Sequence, residues 1–228
     1  MECAVYQTRP IAEPRVAPAW LSVGELDRWR ALRRAADQAR FATGAGLLRM
    51  LVGQVLGIAP AQVRVDRYCP NCDRAHGKPT IPDSDLQVSV SHAQDVVLVA
   101  LAQGATPIGV DVERVGHAPT VDEIASYALA PEELGRILGA NGSVDRAAFF
   151  EAWTRKEAIL KATGDGLRIP MASLTLTVDG ELRTYPGRPG LAARIVGLDA
   201  GAEYTAALAA LTDELLVVRH LIADIVLE

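Results

Sequence analysis

The segment Gly109-Val110-Asp111-Val112-Glu113 alternates apolar and acidic residues. This alternation predicts a β-strand, because side chains two residues apart point to the same face of a strand. We expect Val110 and Val112 to face the core and both carboxylates to face outward, roughly 6–7 Å apart at the backbone. That spacing suits two carboxylates converging on one cation. The alternative is a solvated strand face with two ordinary acids, which is the better-supported interpretation of an isolated Asp-x-Glu.

A third acidic residue and a lysine come from a helical segment further along the chain, Trp153-Thr154-Arg155-Lys156-Glu157-Ala158-Ile159-Leu160-Lys161. The pattern predicts a helix over residues 145–163 that Gly164 closes. Glu157 and Lys161 then share one face, and Trp153 lies a turn earlier on it. Three carboxylates beside a lysine suit a Mg²⁺–diphosphate site, because Mg²⁺ takes oxygen ligands and shares its coordination sphere with substrate phosphates. A surface Glu–Lys pair is the alternative.

Composition restricts the functional class. The chain has 228 residues and a net charge of −5, which argues against general nucleic-acid binding because that needs a basic surface. Three cysteines, an odd number in a chain of this length, fit a reducing cytoplasm better than a disulfide framework. The N-terminus lacks the features of a signal peptide, and no segment approaches the ~20 apolar residues that span a bilayer. We therefore expect a cytoplasmic protein that contacts neither nucleic acid nor membrane.

Helices and strands alternate in a mixed order. Ser22, with Glu25 three residues on, predicts a capped helix start, and the helical pattern continues to about residue 56, with a break expected at Gly44 and Gly46. A further helical stretch is predicted over residues 120–138. Strands are expected over residues 86–91, 96–102, 108–115, 174–178, 191–196, 204–211 and 215–227. This order favours an α+β fold over a doubly wound α/β fold. The segment Gly104-Ala105-Thr106-Pro107 is a candidate junction, which gives halves of residues 1–104 and 105–228.

Four blocks in a fixed order carry a specific resemblance: Gly-Lys-Pro at 77–79, Ser-Val-Ser-His at 89–92, Ile-Gly-Val-Asp-Val-Glu at 108–113 and Trp-Thr-Arg-Lys-Glu-Ala-Ile-Leu-Lys at 153–161. Each block alone is weak, and its alternative is an ordinary turn or surface face. Together they closely resemble the 4′-phosphopantetheinyl transferases of the larger, monomeric type that serves carrier proteins of secondary metabolism. The match covers residues 77–167 and extends more loosely over the helical region from residue 22 onward.

The resemblance implies two similar α+β halves related by a pseudo-twofold axis, with coenzyme A bound in the cleft between them. The C-terminal half would carry the metal and the catalytic groups. Asp111, Glu113 and Glu157 match the family's Mg²⁺ ligands, and Mn²⁺ remains open because carboxylates suit both ions. Lys161 matches a phosphate-binding lysine, so Asp111, Glu157 and Lys161 are the expected catalytic residues.

The N-terminal half would hold the adenine and 3′-phosphate end of coenzyme A. The matching positions are Lys78, Pro79, Ser91 and His92, with Arg40 and, in a looser register, Arg28 as basic residues near the 3′-phosphate. Glu25 stands where some relatives have a lysine, so one such contact is in doubt. The arginines of residues 28–40 form a basic cluster that would attract the 3′-phosphate and an acidic carrier protein, unless they form a simple solvated helix face.

The expected reaction is attack of a carrier serine on the β-phosphate of coenzyme A, with release of 3′,5′-ADP. Acyl carrier and peptidyl carrier protein domains are the expected partners. Glu157 is positioned to act as general base, directly or through a Mg²⁺-bound water, although a carboxylate on the metal is a poor base. Two alternatives remain open: a coenzyme A-binding module without turnover, and a Mg²⁺-dependent diphosphate hydrolase.

One further motif, Cys69-Pro70-Asn71-Cys72 with His76, has the spacing of half a zinc site. No second Cys or His pair follows in the sequence, and structural zinc sites need four ligands. The sequence therefore favours a loop with two ordinary thiols.

Overall fold

The computed structural model describes residues 1–12, 20–69, 72, 74–116 and 121–223. Its helices, numbered in chain order, are α1 (Val23–Ala31), α2 (Ala35–Leu56), α3 (Val121–Ala128), α4 (Pro131–Ile137) and α5 (Arg146–Thr163). Its strands are β1 (Glu2–Thr8), β2 (Asp66–Tyr68), β3 (Ala75–Thr80), β4 (Leu86–Ala93), β5 (Val96–Gln103), β6 (Ile108–Arg114), β7 (Thr175–Leu176), β8 (Leu182–Thr184), β9 (Arg194–Leu198), β10 (Tyr204–Ala210) and β11 (Val217–Ile222). The α+β class expected from the sequence is confirmed.

The chain divides into two compact units. The N-terminal unit contains residues 2–105 together with residues 218–228, and the C-terminal unit contains Met1 with residues 106–217. The division expected from the sequence assigned every residue after 104 to the second half. The structure instead returns the end of the described chain to the N-terminal unit, where β11 joins the sheet. No helix among the described residues is both long enough and apolar enough to cross a membrane.

The N-terminal unit is a six-stranded sheet, in the order β11-β1-β5-β4-β3-β2, covered by helices. Helix α1 begins at Ser22, whose hydroxyl accepts a hydrogen bond from the Glu25 backbone, while the Glu25 carboxylate accepts one from the Ser22 backbone. This confirms the predicted capping box. Glu25 also forms a buried ion pair with Arg49, at 2.8 Å. The acidic residue that departs from the family pattern therefore has a structural role in joining α1 to α2.

Helix α2 runs without a break through Gly44 and Gly46, so the predicted division there is wrong. The break falls earlier, after Ala31, where Leu32 adopts an extended conformation. A Cβ atom at residue 44 would lie 3.0 Å from Val90 Cγ1 on the sheet. Gly44 therefore permits close packing of the helix on the strands, and packing outweighs the modest helix-breaking tendency of glycine.

The C-terminal unit is built on the antiparallel sheet β6-β10-β9, with β7 and β8 forming a separate hairpin. Helix α5 packs on this sheet. Asp145 caps its start by accepting hydrogen bonds from two backbone N–H groups, and Gly164 ends it in the left-handed conformation at φ 76°, as the sequence predicted. The apolar core joins α3 and α5 to the sheet through buried side chains that include Phe149, Ile159 and Leu160.

The helical stretch predicted over residues 120–138 consists of two helices, α3 and α4. Thr120 itself lies outside the described residues, as do residues 224–227 of the last predicted strand. The interruption precedes Pro131, which is the first residue of α4. Proline disfavours helical geometry at the preceding residue, and Ala130 is extended at φ −64° and ψ 155°. The sequence signal for this break was therefore present in Pro131.

Candidate active site

The close approach of β6 and α5 at Gly109 determines the geometry of the site. A Cβ atom at this position would lie 2.1 Å from the carbonyl oxygen of Ala158 and 2.4 Å from the backbone nitrogen of Ala162. Only a residue without a side chain allows the strand and the helix to pack at this distance. Because side chains two residues apart share a face, Asp111 and Glu113 point to the side of β6 on which α5 lies.

This arrangement corrects the expected orientation of the strand. The carboxylates were expected on an outer face, but Asp111 is 4% exposed. Val110 and Val112 are also buried, as expected, and they point to the other face of β6. Alternation therefore predicted correctly which residues share a face, and it assigned the acidic face wrongly because it contains no information about which element covers it.

Asp111 and Lys161 form the central contact of the site. The Lys161 ammonium donates to Asp111 Oδ1 at 2.7 Å, and the two side chains are 31% and 5% exposed, respectively. The contact joins the middle of β6 to the last turn of α5. A buried carboxylate needs a cation or several hydrogen-bond donors, and Lys161 supplies a charged partner to the buried Asp111.

The other two carboxylates lie in the same electrostatic environment. Burial, together with the charge of Asp111, raises the pKa of Glu113 to about 7, and Glu157 contributes a smaller repulsion in the same direction. Burial and the charge of Asp111 also raise the pKa of Glu157, while Lys161 acts in the opposite direction. The single positive charge of Lys161 does not neutralise three carboxylates. The site therefore favours binding of an additional cation.

The donor set suits a hard divalent cation, because all three candidate ligands offer oxygen. Their carboxylates are not gathered as tightly as a bound ion would require. Among residues 1–12, 20–69, 72, 74–116 and 121–223, the sole set of three His, Cys, Asp or Glu side chains with ligand atoms within 4.8 Å of one another is Cys69, Cys72 and His76. Side-chain rotation is therefore needed before the acidic trio shares one ion.

Trp153 contributes to the site in a way that the sequence did not reveal. Its side chain lies near the Glu113 carboxylate, favours the ionised form and partly opposes the rise in pKa. Its ring packs against Phe149, with the centroids 5.7 Å apart. Trp153 therefore acts on Glu113 from a fixed position on α5. Its spacing from Glu157 and Lys161 placed it on the correct helix face, but the spacing alone assigned it no role.

Lys156, in the same motif, has a different environment from Lys161. It is fully buried, and its ammonium contacts Glu133 Oε2 at 2.5 Å and the carbonyl oxygens of Ala128 at 2.9 Å and Met171 at 3.1 Å. Glu133 in turn accepts hydrogen bonds from the backbone N–H groups of Ala130 and Leu176. Lys156 therefore ties α5 to the segments around α3, α4 and β7. Two lysines five residues apart thus have separate structural and site roles, which sequence reasoning missed.

In the N-terminal unit, Arg40 and His92 lie at the same end of the β4–β5 hairpin. Arg40 on α2 donates to the carbonyl oxygen of Gln94 at 3.0 Å and is paired with Asp37. Gln94 forms the tight turn with φ 47°, two residues after the exposed His92. Ser91 precedes His92 on β4 and is buried, at 7% exposure. The contact with Gln94 brings Arg40 close to the strand end that carries both residues.

The remaining basic candidates lie near the β2–β3 side of that unit. Burial lowers the pKa of Lys78 on β3 to about 8, and the adjacent Pro79 is also half-buried. Arg28 lies over the ring of Phe41, at 5.3 Å. Burial, followed by the charge of Arg28, lowers the pKa of Arg67 on β2 to about 10. Arg67 thus belongs to this basic group, and no sequence spacing indicated it.

Comparison with known proteins places these features in one family. Residues 107–209, which contain β6, α5 and all three carboxylates, match the family described as the 4′-phosphopantetheinyl transferase superfamily. The chain is 32% identical to 4′-phosphopantetheinyl transferase HetI of Nostoc sp. over 78% of its own length and 75% of that relative. It is 25% identical to 4′-phosphopantetheinyl transferase Sfp of Bacillus subtilis over 78% of its own length and 77% of that relative.

Proposed function

The chain belongs to the 4′-phosphopantetheinyl transferase superfamily, and from this premise we propose that it transfers 4′-phosphopantetheine from coenzyme A to a serine of an apo carrier protein. The observation that carries the proposal is the Lys161–Asp111 contact at 2.7 Å, with Glu113 and Glu157 in the same electrostatic environment. A lysine beside surplus carboxylate charge is suited to a metal-dependent reaction of a diphosphate, because phosphate transfer depends on positioning and charge stabilisation.

In the proposed reaction the serine Oγ of the carrier forms a bond to the β-phosphorus of coenzyme A. The bond from that phosphorus to the oxygen bridging the two phosphates breaks, and 3′,5′-ADP leaves with the bonding electron pair. The serine proton passes to a base. Lys161, whose side chain is 31% exposed, has the charge and accessibility to contact the diphosphate and to oppose the charge that develops on the leaving group.

We assign Asp111, Glu113 and Glu157 as the residues that would hold Mg²⁺, with Mn²⁺ as a second ion that suits the same oxygen ligands. When bound, the ion supplies positive charge against the diphosphate. Trp153 favours the ionised form of Glu113 from α5. Lys161 would exchange its contact with Asp111 for one with phosphate oxygen as the substrate enters.

Glu157 is the proposed acceptor of the serine proton. Burial and the charge of Asp111 raise the pKa of this carboxyl, which brings it closer to the neutral range in which a general base works best. Its assignment as a metal ligand competes with this role, because a carboxylate that donates to a cation is less basic. At Glu157, binding of the metal ion and acceptance of the serine proton therefore affect each other directly.

For the nucleotide end of coenzyme A, we propose contacts from the N-terminal unit. Arg40, His92 and Ser91 form one group near the β4–β5 turn, and Lys78 and Pro79 form another on β3. Arg28, with the neighbouring Arg67, adds positive charge. Basic side chains and a strand-end histidine suit a 3′-phosphate, and the half-buried Pro79 suits an adenine face.

The relatives' names specify transfer of 4′-phosphopantetheine, and we propose a carrier protein as the acceptor. We propose acyl carrier and peptidyl carrier domains of secondary metabolism as partners, and a monomer that works in the cytoplasm. Cys3, Cys69 and Cys72 are not in disulfides, which agrees with a reducing compartment. A panel of apo carriers from fatty-acid, polyketide and nonribosomal-peptide systems would identify the preferred class.

The decisive experiment combines purified protein, coenzyme A, Mg²⁺ and apo carrier, and follows the intact mass of the carrier. We expect the mass of one phosphopantetheine to be added at the serine, with release of 3′,5′-ADP. Release of 3′,5′-ADP without a carrier would instead identify a diphosphate hydrolase. Binding of coenzyme A without turnover on any carrier would identify a binding module.

The first prediction concerns Asp111. Asp111→Asn keeps the shape of the side chain and an acceptor for Lys161 but removes the charge that holds the cation. We expect the transfer rate to fall by more than about 100-fold, because even outer-sphere partners of a metal contribute 10–100-fold. Circular dichroism should show an unchanged fold. Turnover within a few fold of the wild-type rate would contradict the metal assignment.

A further inference from the structure

A second cluster of candidate ligands lies in the N-terminal unit, at the end of the β2–β3 hairpin. The Sγ atoms of Cys69 and Cys72 and a ring nitrogen of His76 all lie within 4.8 Å of one another. Cys69 is buried, whereas Cys72 and His76 are exposed. Neither cysteine is in a disulfide. The cluster belongs to neither the acidic trio nor the basic group proposed for coenzyme A.

Backbone hydrogen bonds hold both cysteines at the end of the hairpin. The N–H of Cys72 donates to the carbonyl oxygen of Cys69 at 3.3 Å, and the N–H of Cys69 donates to the carbonyl oxygen of Arg74 at 3.0 Å. The Nε2 atom of His76 lies 2.8 Å from Cys72 Sγ. Two sulfurs and one imidazole nitrogen thus converge from a segment of eight residues, Cys69 to His76.

The chemistry of these ligands selects the metal. Thiolate and imidazole ligands favour Zn²⁺, whereas Mg²⁺ and Mn²⁺ prefer oxygen. Typical Zn–S and Zn–N bonds of about 2.3 Å and 2.0–2.1 Å give tetrahedral ligand separations of roughly 3.5–3.8 Å. All three ligand atoms lie within 4.8 Å of one another, and Cys72 Sγ and His76 Nε2, at 2.8 Å, would move apart by less than about 1 Å to share the ion. Two thiolates also balance the charge of Zn²⁺, which lets the buried Cys69 ionise at little electrostatic cost. Three protein ligands leave one position open to solvent beside the exposed Cys72 and His76.

The pairing of the β2–β3 hairpin with the rest of the sheet is limited. Strand β2 has three residues and forms the edge of the six-stranded sheet. Strand β3 is aligned with its other neighbour, β4, at one residue pair, Thr80 with Gln87. The pairing between β2 and β3 is itself irregular between Asp66 and Tyr68. The strand that carries Lys78 and Pro79 is therefore weakly tied to the rest of the sheet.

We propose that Cys69, Cys72 and His76 bind one Zn²⁺ ion, which fixes the β2–β3 hairpin and so positions Lys78 and Pro79. The metal site stands independently of the activity. Its effect on coenzyme A rests on the proposed function. The sequence alone argued against zinc because a fourth ligand was missing. The convergence of three ligand atoms in the structure favours zinc binding.

The primary test measures zinc per chain by plasma mass spectrometry, after purification without a metal-affinity tag, addition of Zn²⁺ and dialysis. We expect one equivalent in the wild type and loss of it in Cys72→Ser and His76→Ala. Cys3→Ala is the matched control, because Cys3 is a buried thiol on β1 outside the cluster, and it should retain the ion. Wild type without zinc, or ligand variants that retain it, would overturn the site.

Two further measurements separate zinc from other cysteine chemistry. Co²⁺ substitution should produce the intense visible bands of tetrahedral cobalt–thiolate. A thiol reagent should find Cys69 and Cys72 protected until a chelator is added. Cys3 should stay silent in the folded protein, because burial raises its pKa to about 12. A Cys69–Cys72 disulfide, which shows no thiols after chelation until a reductant is added, would contradict zinc binding.

The clamp is tested by hydrogen exchange. Zinc removal should accelerate amide exchange in β2 and β3 while leaving β6 and α5 unchanged. If transfer activity is established, the same treatment should raise KM for coenzyme A with little change in kcat. Zinc loss with unchanged exchange in the hairpin would overturn the clamp. If the wild type binds zinc but transfers nothing, the proposed transferase function is wrong, whereas the zinc site still holds.

Discussion

At the scale of single residues, the charge of Glu113 depends on Trp153. The Trp153 side chain favours the ionised carboxylate, against burial and the charge of Asp111. Trp153→Phe keeps the ring packed against Phe149 and removes the indole N–H. We expect the Mg²⁺ concentration for half-maximal activity to rise by about 10–100-fold, as for other partners of metal ligands, with kcat at saturating Mg²⁺ little changed.

The matched control is Trp29→Phe in α1. Trp29 is buried, and its indole N–H has no hydrogen-bond partner among the described residues. This substitution should leave the Mg²⁺ requirement unchanged. Equal effects of the two substitutions would show that loss of any buried indole weakens the enzyme, and Trp153 would lose its role as a positioning residue.

The sequence predicted the residue-level site only in part. Strand periodicity identified Asp111 and Glu113 as neighbours on one face, and helix periodicity did the same for Glu157 and Lys161. Neither periodicity shows which face of the strand packs against which face of the helix, so the burial of Asp111 at 4% exposure was unexpected. The roles of Trp153 and Lys156 were also missed, because they depend on partners distant in sequence. Such contacts follow from tertiary packing.

At the scale of secondary-structure elements, Gly109 limits how closely β6 and α5 pack. Gly109→Ala would place a methyl group 2.1 Å from a backbone oxygen, which neither element accommodates without moving. We expect the unfolding free energy to fall by about 3 kcal/mol, the upper end for overpacking, or by more. Transfer activity should fall as well, since the movement separates Lys161 from Asp111. Urea unfolding and the carrier assay provide both measurements.

Gly135→Ala is the matched control for this change. A Cβ atom there meets no heavy atom within 4 Å, and the residue lies within α4. Alanine in a helix interior should stabilise the protein by about 0.5–1 kcal/mol relative to glycine. An unfolding free energy of Gly109→Ala equal to that of wild type would show that the strand and helix separate easily.

A second element-scale prediction concerns the buried pair of Lys156 and Glu133. Lys156→Met removes one partner and leaves a buried carboxylate, which costs about 3–5 kcal/mol. The Lys156 ammonium is fully buried and donates to Glu133 and to the carbonyl oxygens of Ala128 and Met171, so we expect the transfer rate per folded molecule to stay within a few fold of wild type. Thermal unfolding together with kinetics at low temperature separates the two effects.

Arg155→Met tests whether any charge lost from α5 has the same result. Arg155 pairs with Glu151, the two side chains being 17% and 60% exposed, and also donates to the carbonyl oxygen of Gly180. Because one partner of this pair faces solvent, the variant should lose much less stability than Lys156→Met. A Lys156→Met protein as stable as Arg155→Met would argue against the buried pair as the anchor of α5.

At the scale of the whole molecule, β11 links the end of the described chain to its beginning. The backbone N–H of Val217 donates to Met1, and that of Ala223 donates to Gln7, so β11 and β1 run in the same direction. A chain that ends after Leu216 lacks this edge strand and exposes the backbone groups of β1. We expect its melting temperature to fall by at least about 4 °C, which corresponds to roughly 1–2 kcal/mol.

Hydrogen exchange should locate the damage in this truncated chain. Amides of β1 should exchange faster, whereas those of β6 and α5 should remain protected. A chain that ends after Ala223 is the control, because it retains β11. Unchanged exchange in β1 after loss of β11 would show that the strand contributes little to the N-terminal unit. The sequence predicted a strand over residues 215–227 but not its partner, because periodicity contains no information about pairing across 200 residues.

The position of β11 also has a consequence for protein synthesis. On the ribosome, β1 is complete at Thr8, but its outer neighbour begins only at Val217. At about 5–20 residues per second, roughly 10–40 s of translation separate the two strands. During that interval the nascent chain carries an open sheet edge that can pair with another nascent chain on the same messenger RNA. Translation speed and chaperone access, rather than final stability, would then determine the yield of correctly folded enzyme.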